Sequence, residues 1–299
     1  MDSLPYSRAS AKNWADLVQL LDTLKGTHVF RGMADDSWLL ESSLERYIPE
    51  SSARTAAEGT LLREFQRRAH DYIESGKEPT TNRECFALMQ HFGAPTRLVD
   101  FTRSPYVAAL FAFEPTGPQD RAIWAIDRAR CYSNAGDFIS RSDPAFDGDK
   151  GGWFTGVRAT WDLDVGPSRW PGPIVLPYEP DRLSGRLAVQ QGLFVWPNDI
   201  ERSFMENLSG LDPDGVQKTV LAGAMRDAAL EDLRYMNISR ASLFPGLDGF
   251  ATSLRTLLVS EPERQKDVRR ALLGLRLAGD IDSQPRVVSL LDDANRDRR

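Results

Sequence analysis

The run Leu21–Gly32, LDTLKGTHVFRG, passes from helix to strand, and that passage sets the fold class. Ahead of it, Asn13 stands where a helix N-cap belongs, and Trp14, Leu17, Leu21 and Leu24 recur on one helical face. Gly26 takes the place of a left-handed residue past a helix end, and Thr27, His28, Val29 and Phe30 are β-prone. Arg31 and Gly32 then close the strand, where it opens into a loop.

The mixture continues outward. Leu62, Phe65, Ala69, Tyr72 and Ile73 predict an amphipathic helix from Ala53 to about Glu74. A shorter helix from Arg83 to His91 is stopped by Gly93 and Pro95, and another opens at Ser104-Pro105, with Ser as cap and Pro in the first turn. Ala94 to Arg103, between them, reads as a loop. Ala122–Ile126 (AIWAI) is a continuous apolar run, as a strand buried on both faces requires, and Ile174–Tyr178 and Leu193–Trp196 read as further strands. Residues 128 to 172 hold no period for long. From Asp214 the pattern turns helical. Asp214 and Gln217 resemble a capping box before Val216, Val220, Leu221, Met225 and Leu233, and later helices carry Leu254, Leu257 and Leu258, then Val268, Leu272 and Leu275. The expected class is α+β, with a mixed core to about residue 198 and a helical portion packed on it from about 214. Residues 10–255 are expected to form the main domain, and 256–299 a C-terminal helix with a frayed tail.

Composition removes several classes. With 41% hydrophobic and 27% charged residues among 299, the chain reads as an ordinary globular protein, not a disordered or fibrous one. The 37 basic and 43 acidic side chains leave a net charge of -6, so no global positive field gathers nucleic acid, although a local basic groove stays open. No apolar run nears the ~18 residues of a membrane span, and the opening MDSLPYSRASAKNWADL lacks the apolar core of a secretory signal, so the expected location is cytoplasmic, with no membrane partner. Cys85 and Cys131 cannot make a disulfide framework and have no zinc-type neighbours, His28, His70 and His91 are scattered, and Asp143, Asp147 and Asp149 lack a full calcium loop. No metal is expected. Phosphate-loop, dinucleotide-fingerprint, nucleophile-elbow and zincin motifs are all missing from the sequence.

What stands out is an ordered series of polar segments set among apolar neighbours. They are Phe30-Arg31-Gly32, Trp38 with Ser43-Leu44, LLREFQRRA at 61–69, QHFGAPTRLVDFTRSP at 90–105, the IWAID strand, QQGLF from Gln190, and LFPGLDG at 243–249. On these the chain is identified as a member of the FRG-domain family, the resemblance covering about residues 10 to 255. More distantly, an arginine closing an early strand before a small residue resembles the first signature of ADP-ribosyltransferases of the Arg-Ser-Glu type. That likeness implies a split mixed or antiparallel sheet flanked by helices. It implies NAD as substrate, with the bond between nicotinamide and ribose broken through an oxocarbenium-like state. The acceptor would be a protein or nucleic acid, and the setting a bacterial toxin or antiphage effector with a neutralising or regulatory protein partner. The alternative is a non-catalytic module that recognises a nucleotide or nucleic acid, and a third reading makes the segments a buried polar network that specifies the fold.

Under the transferase likeness the catalytic residues are Arg31, His91 and Gln191, and the NAD contacts Arg31, Gly32, Thr96, Arg97, Thr102, Arg103 and Gln190. Arg31 would fork onto phosphate or ribose oxygens, and Gly32 would let the ligand touch backbone amides. Arg31 is equally suited to a salt bridge with Asp100, Arg97 and Asp100 suit a structural pair, and Thr102 and Ser104 suit helix capping. His91 suits proton transfer or ligand hydrogen bonding. Gln190 and Gln191 stand where the likeness calls for a glutamate, and an amide supplies no negative charge opposite a developing cation. The spatial expectation is that Arg31, His91 and Gln191 converge on one cleft.

Overall fold

Ala122 through Ile126 are closed to water on both sides, which places this run at the centre of a sheet. The computed structural model describes residues 5–142, 172–180 and 185–259. In chain order its first elements are β1 (Ser7–Ala11), α1 (Trp14–Asp22), β2 (His28–Met33), α2 (Ser43–Tyr47), α3 (Ser51–Arg68) and α4 (Asn82–His91). There follow β3 (Val99–Thr102), α5 (Pro105–Phe113), β4 (Arg121–Asp127), α6 (Arg128–Ser142), β5 (Val175–Tyr178), α7 (Gly185–Val189) and β6 (Gly192–Pro197). The last are α8 (Phe204–Leu208), β7 (Val216–Leu221), α9 (Arg226–Tyr235), α10 (Arg240–Leu243) and α11 (Leu247–Val259). The seven strands form one mixed sheet in the order β1-β7-β4-β2-β3-β6-β5. Only β1 and β7 run parallel, and the other neighbours are antiparallel. The α+β class is thus correct.

β2 and β4 pair along six residues, His28 against Asp127 through Met33 against Ala122. β2 and β3 pair only at Phe30 and Thr102. The sheet is therefore held across its middle by a single pair, and the packing follows that division. On one face Val29, Phe101, Trp124 and Val195 share a cluster with Cys131, Ile139 and Phe204. The other face carries two separate clusters. Phe30, Ile123 and Leu221 pack with α1, α5 and α9, while Leu98, Phe194 and Trp196 pack with α3 and α4.

The local signals explain most elements. Asn13 caps α1 by accepting from the Asp16 amide at 2.9 Å, Ser104 caps α5 by accepting from Val107 N at 3.3 Å, and Gly26 turns into β2 at φ +82°. Four expectations are corrected. Val216–Leu221 is the strand β7, because the spacing that suggested a helix is equally met by β-branched residues paired on both sides with β1 and β4. Val99–Thr102, expected within a loop, is β3, bonded to β6 along its whole length. The helix expected from Ala53 to Glu74 begins at Ser51 and ends at Arg68. Residues 128–142, expected without regular structure, form α6.

The chain divides into two units, Met1–Pro245 and Gly246–Arg299. In the second, α11 exposes Leu247, Phe250 and Leu254 along one stripe. The Asp143, Asp147 and Asp149 group, Trp153, Trp161 and Trp170, and the helix expected over Val268–Leu275 lie outside the described residues. No helix among the described residues is long and apolar enough to cross a membrane.

Candidate functional site

Where β2 and β3 part, Arg31 fills the gap. Its Nη1 donates to the Asp100 carbonyl at 2.7 Å and lies 4.0 Å from the Asp100 carboxylate, while its Nε is buried with no hydrogen-bond partner among the described residues. Burial lowers the Arg31 pKa, Asp100 opposes that shift, and the neighbouring Arg46 adds to it. A guanidinium nevertheless keeps its charge at neutral pH. A buried, charged, incompletely bonded donor is costly, and an anionic ligand would remove that cost.

A relay of hydrogen bonds fixes Asp100. Gln90 Nε2 donates to Asp100 Oδ2 at 2.8 Å, and Thr96 Oγ1 donates to Gln90 Oε1 at 2.6 Å. Thr96 is itself tied to α2, its amide donating to Ser43 Oγ at 3.0 Å and its carbonyl accepting from the Leu44 amide at 3.0 Å. His91 follows Gln90 at the end of α4, and both Asp100 and Arg186 act electrostatically on it. Arg31 and Gln90 therefore both bond Asp100, and His91 is the residue after Gln90. Gln191 does not join them. It is exposed, at φ +48°, and its carbonyl accepts from Arg103 N at 3.0 Å. Because Thr102 pairs with Gly192, Gln191 lies opposite Arg103, three residues along β3 from Asp100 or roughly 10 Å away.

Several expected ligand contacts are engaged in the scaffold instead. The side of Gly32 where a Cβ would stand faces α5, with Ala112 N at 2.7 Å from that position, so Gly32 serves helix-to-strand packing. Arg97 pairs with Glu58, not with Asp100: Arg97 Nε donates to Glu58 Oε1 at 2.6 Å and Nη2 to Oε2. Both are buried, and α3 delivers the carboxylate that the local sequence hides. Thr102 Oγ1 donates to the Gln190 carbonyl at 2.7 Å, and the buried Gln190 amide donates to Leu243 O at 3.1 Å. Arg103 forms an ion pair with Glu179, whose other oxygen accepts from Arg128 Nη2 at 3.1 Å. Glu179, Arg186 and Arg46 were missed from sequence. Glu179 directly follows β5, a strand end being the one cue available. Among the described residues no group of three or more His, Cys, Asp or Glu is arranged to hold a metal.

A pocket of about 90 Å³ is lined in part by His91, Leu88, Leu187, Phe194 and Lys77. This is far below the roughly 300 Å³ at which preformed small-molecule sites begin, so it admits one ring of a larger ligand or a few waters. Burial holds the His91 pKa below the ordinary histidine value, with Arg186 lowering it further and Asp100 opposing. Burial likewise lowers His28, against Asp127. Between the ordinary value near ~6.5 and these lowered folded values the unfolded chain binds more protons, so stability present at neutral pH is lost as pH falls through that window. An NMR titration of the ring protons should place both histidines below ~6.5, and His91→Gln should flatten the acid limb of a urea stability profile. A His91 midpoint at or above that value would contradict the assignment.

Residues 26–121 match the family model of the FRG domain. The span contains Arg31, Gln90, His91, Thr96 and Asp100, and with them both strands that part at Phe30 and Thr102. No curated protein and no solved structure matches the chain.

Proposed function

We propose that this FRG-domain protein binds NAD where β2 and β3 part and acts as an ADP-ribosyltransferase-like protein on a macromolecular acceptor. The observation that carries the reading is the buried Arg31 Nε, a cationic donor without a partner among the described residues. A pyrophosphate oxygen would complete its bonding, as guanidinium groups commonly do for phosphates. The carboxylate missing from the Gln190-Gln191 segment has a substitute in Asp100, which Gln90 orients beside Arg31. Its negative charge would face the ribose cation that develops as nicotinamide leaves. His91, uncharged at neutral pH, is suited to hydrogen-bond the ribose.

Calorimetry with NAD, followed by transfer of adenylate-labelled NAD onto cell extract, tests this. Arg31→Ala should weaken NAD binding by about tenfold or more, in line with the loss of a charge-assisted bond, and Arg31→Lys should not restore it. Asp100→Asn should retain binding and lose transfer. Absence of NAD binding to folded wild type would end the proposal. The second reading, a non-catalytic nucleotide or nucleic-acid module, is favoured by Gln190, whose amide is already bonded to Leu243 O. NAD binding without any label transferred would decide for it.

A further inference from the structure

The hydrogen-bonded chain Thr96–Gln90–Asp100 anchors more than the Arg31 gap. Through Ser43 and Leu44 it holds α2, whose last residues are Arg46 and Tyr47. Through Gln90 it holds the end of α4, after which come His91 and Phe92. Tyr47 is 70% exposed and Phe92 76% exposed, and the Phe92 ring meets only the edge of His91, at a centroid distance of 4.9 Å, among ring contacts of the described residues. Arg186 on α7 has its guanidinium 4.3 Å from the Phe244 ring centroid, and it acts electrostatically on both His91 and Asp100.

In a protein of net charge -6, Arg31 contacts Asp100, Arg46 lies in α2, which Thr96 holds, and Arg186 directly precedes Leu187, which lines the same pocket as His91. Among the described residues no carboxylate forms a salt bridge with Arg46 or Arg186, and the Arg46 guanidinium donates to the Glu41 carbonyl, at 3.2 Å. Like charges held together by a rigid scaffold call for a polyanion. The flanking rings narrow its class, because flat apolar faces beside cations match a chain in which phosphates alternate with unpaired bases. An acidic peptide would satisfy the arginines and leave the rings in water, and a duplex would keep its bases stacked on one another.

We propose that this surface binds single-stranded nucleic acid, with phosphates on Arg46 and Arg186 and bases stacked on Tyr47 and Phe92. Naming that strand as the ADP-ribosyl acceptor rests on the NAD reading above. In the transfer, the bond between ribose C1′ and the nicotinamide ring nitrogen breaks and its electron pair leaves with nicotinamide. A nitrogen or oxygen of the strand bonds to C1′, and its proton passes to the Asp100 carboxylate.

Fluorescence anisotropy with short labelled oligo(dT) and oligo(U), a duplex and poly-glutamate, at low salt and without NAD, tests the surface. Wild type should bind the single strands. Tyr47→Ala and Phe92→Ala should each weaken binding about 5- to 100-fold, the loss expected of one stacked base. Arg46→Gln and Arg186→Gln should each reduce the slope of log affinity against log salt by about 0.7. All four side chains are surface-exposed, so melting temperatures should match wild type, and that is checked alongside. Failure to bind either strand, equal binding of poly-glutamate, or full affinity in the Tyr47 and Phe92 variants overturns the inference. NAD calorimetry on the same preparations separates the two proposals. NAD binding without strand binding retires this surface alone, and strand binding without NAD binding retires the transferase alone.

Discussion

Arg97→Met is expected to lower the stability of the Met1–Pro245 unit by about 3–5 kcal/mol in urea denaturation at neutral pH. The reason lies in what the substitution leaves behind. Arg97 and Glu58 form a two-pronged ion pair whose side chains are 3% and 1% exposed, and the Arg97 guanidinium also lies 4.8 Å from the Trp196 ring centroid. Removing the arginine strands a carboxylate where water cannot reach it. Replacing both partners, as Arg97→Met with Glu58→Leu, removes the buried charges together and should recover most of the loss. The exposed pair Lys77–Glu74 provides the contrast, since its removal should cost no more than about 1 kcal/mol. A loss for Arg97→Met as small as that of Lys77→Ala would mean that the pair does not hold α3 to the sheet. Because Arg97 is enclosed, the folded fraction of the variant should bind NAD with wild-type affinity.

That pair also marks what the sequence can and cannot disclose. Arg97 was legible as a polar residue set among Leu98 and Phe101, and its need for an acidic partner follows from burial. The partner was not legible. Asp100 is three residues away and Glu58 is 39, and only the packing of α3 on β6 makes the distant residue the near one. Strands show the same limit. AIWAI announces a central strand because burial on both faces leaves its mark on every residue. Ser7–Ala11, reading SRASA, carries no such mark and becomes β1 because β7 offers it an edge. β7 itself was misread, since six residues fit a helical and an extended period alike. The candidate site was partly visible: Arg31 and Gln90, the residue before His91, both bond Asp100, while Gln191 stands at the other end of β3. A strand end can be inferred from local residues, but the way neighbouring strands separate beyond Phe30 and Thr102 depends on the whole sheet.

Gly32→Ala is expected to destabilise the same unit by about 3 kcal/mol or more, at the upper end of what overpacking a close-packed interior costs. For a unit of this size that corresponds to a melting temperature lower by roughly 6–12 °C. The added methyl would overlap the Ala108 carbonyl oxygen and sit 2.7 Å from Ala112 N and 2.9 Å from Ala108 C. All three are backbone atoms of α5, so no side-chain rotation relieves the clash and the helix itself must withdraw. Withdrawal opens the cluster in which Ala108, Ala109 and Ala112 pack with Phe30, Ile123 and Leu221. Small residues along α5 are what bring its backbone this close, and glycine on β2 completes the fit. Gly26→Ala serves as the control: at φ +82° it meets nothing within 4 Å, so it should cost only the backbone strain of the left-handed region, about 1–2 kcal/mol. The pair of variants separates two explanations of the same residue. If Gly32→Ala melts near wild type yet loses NAD, the glycine admits a ligand. If it unfolds early, and NAD binds normally to whatever remains folded, Gly32 is there for the helix, and the glycine of the Phe-Arg-Gly signature reports packing while its arginine reports function.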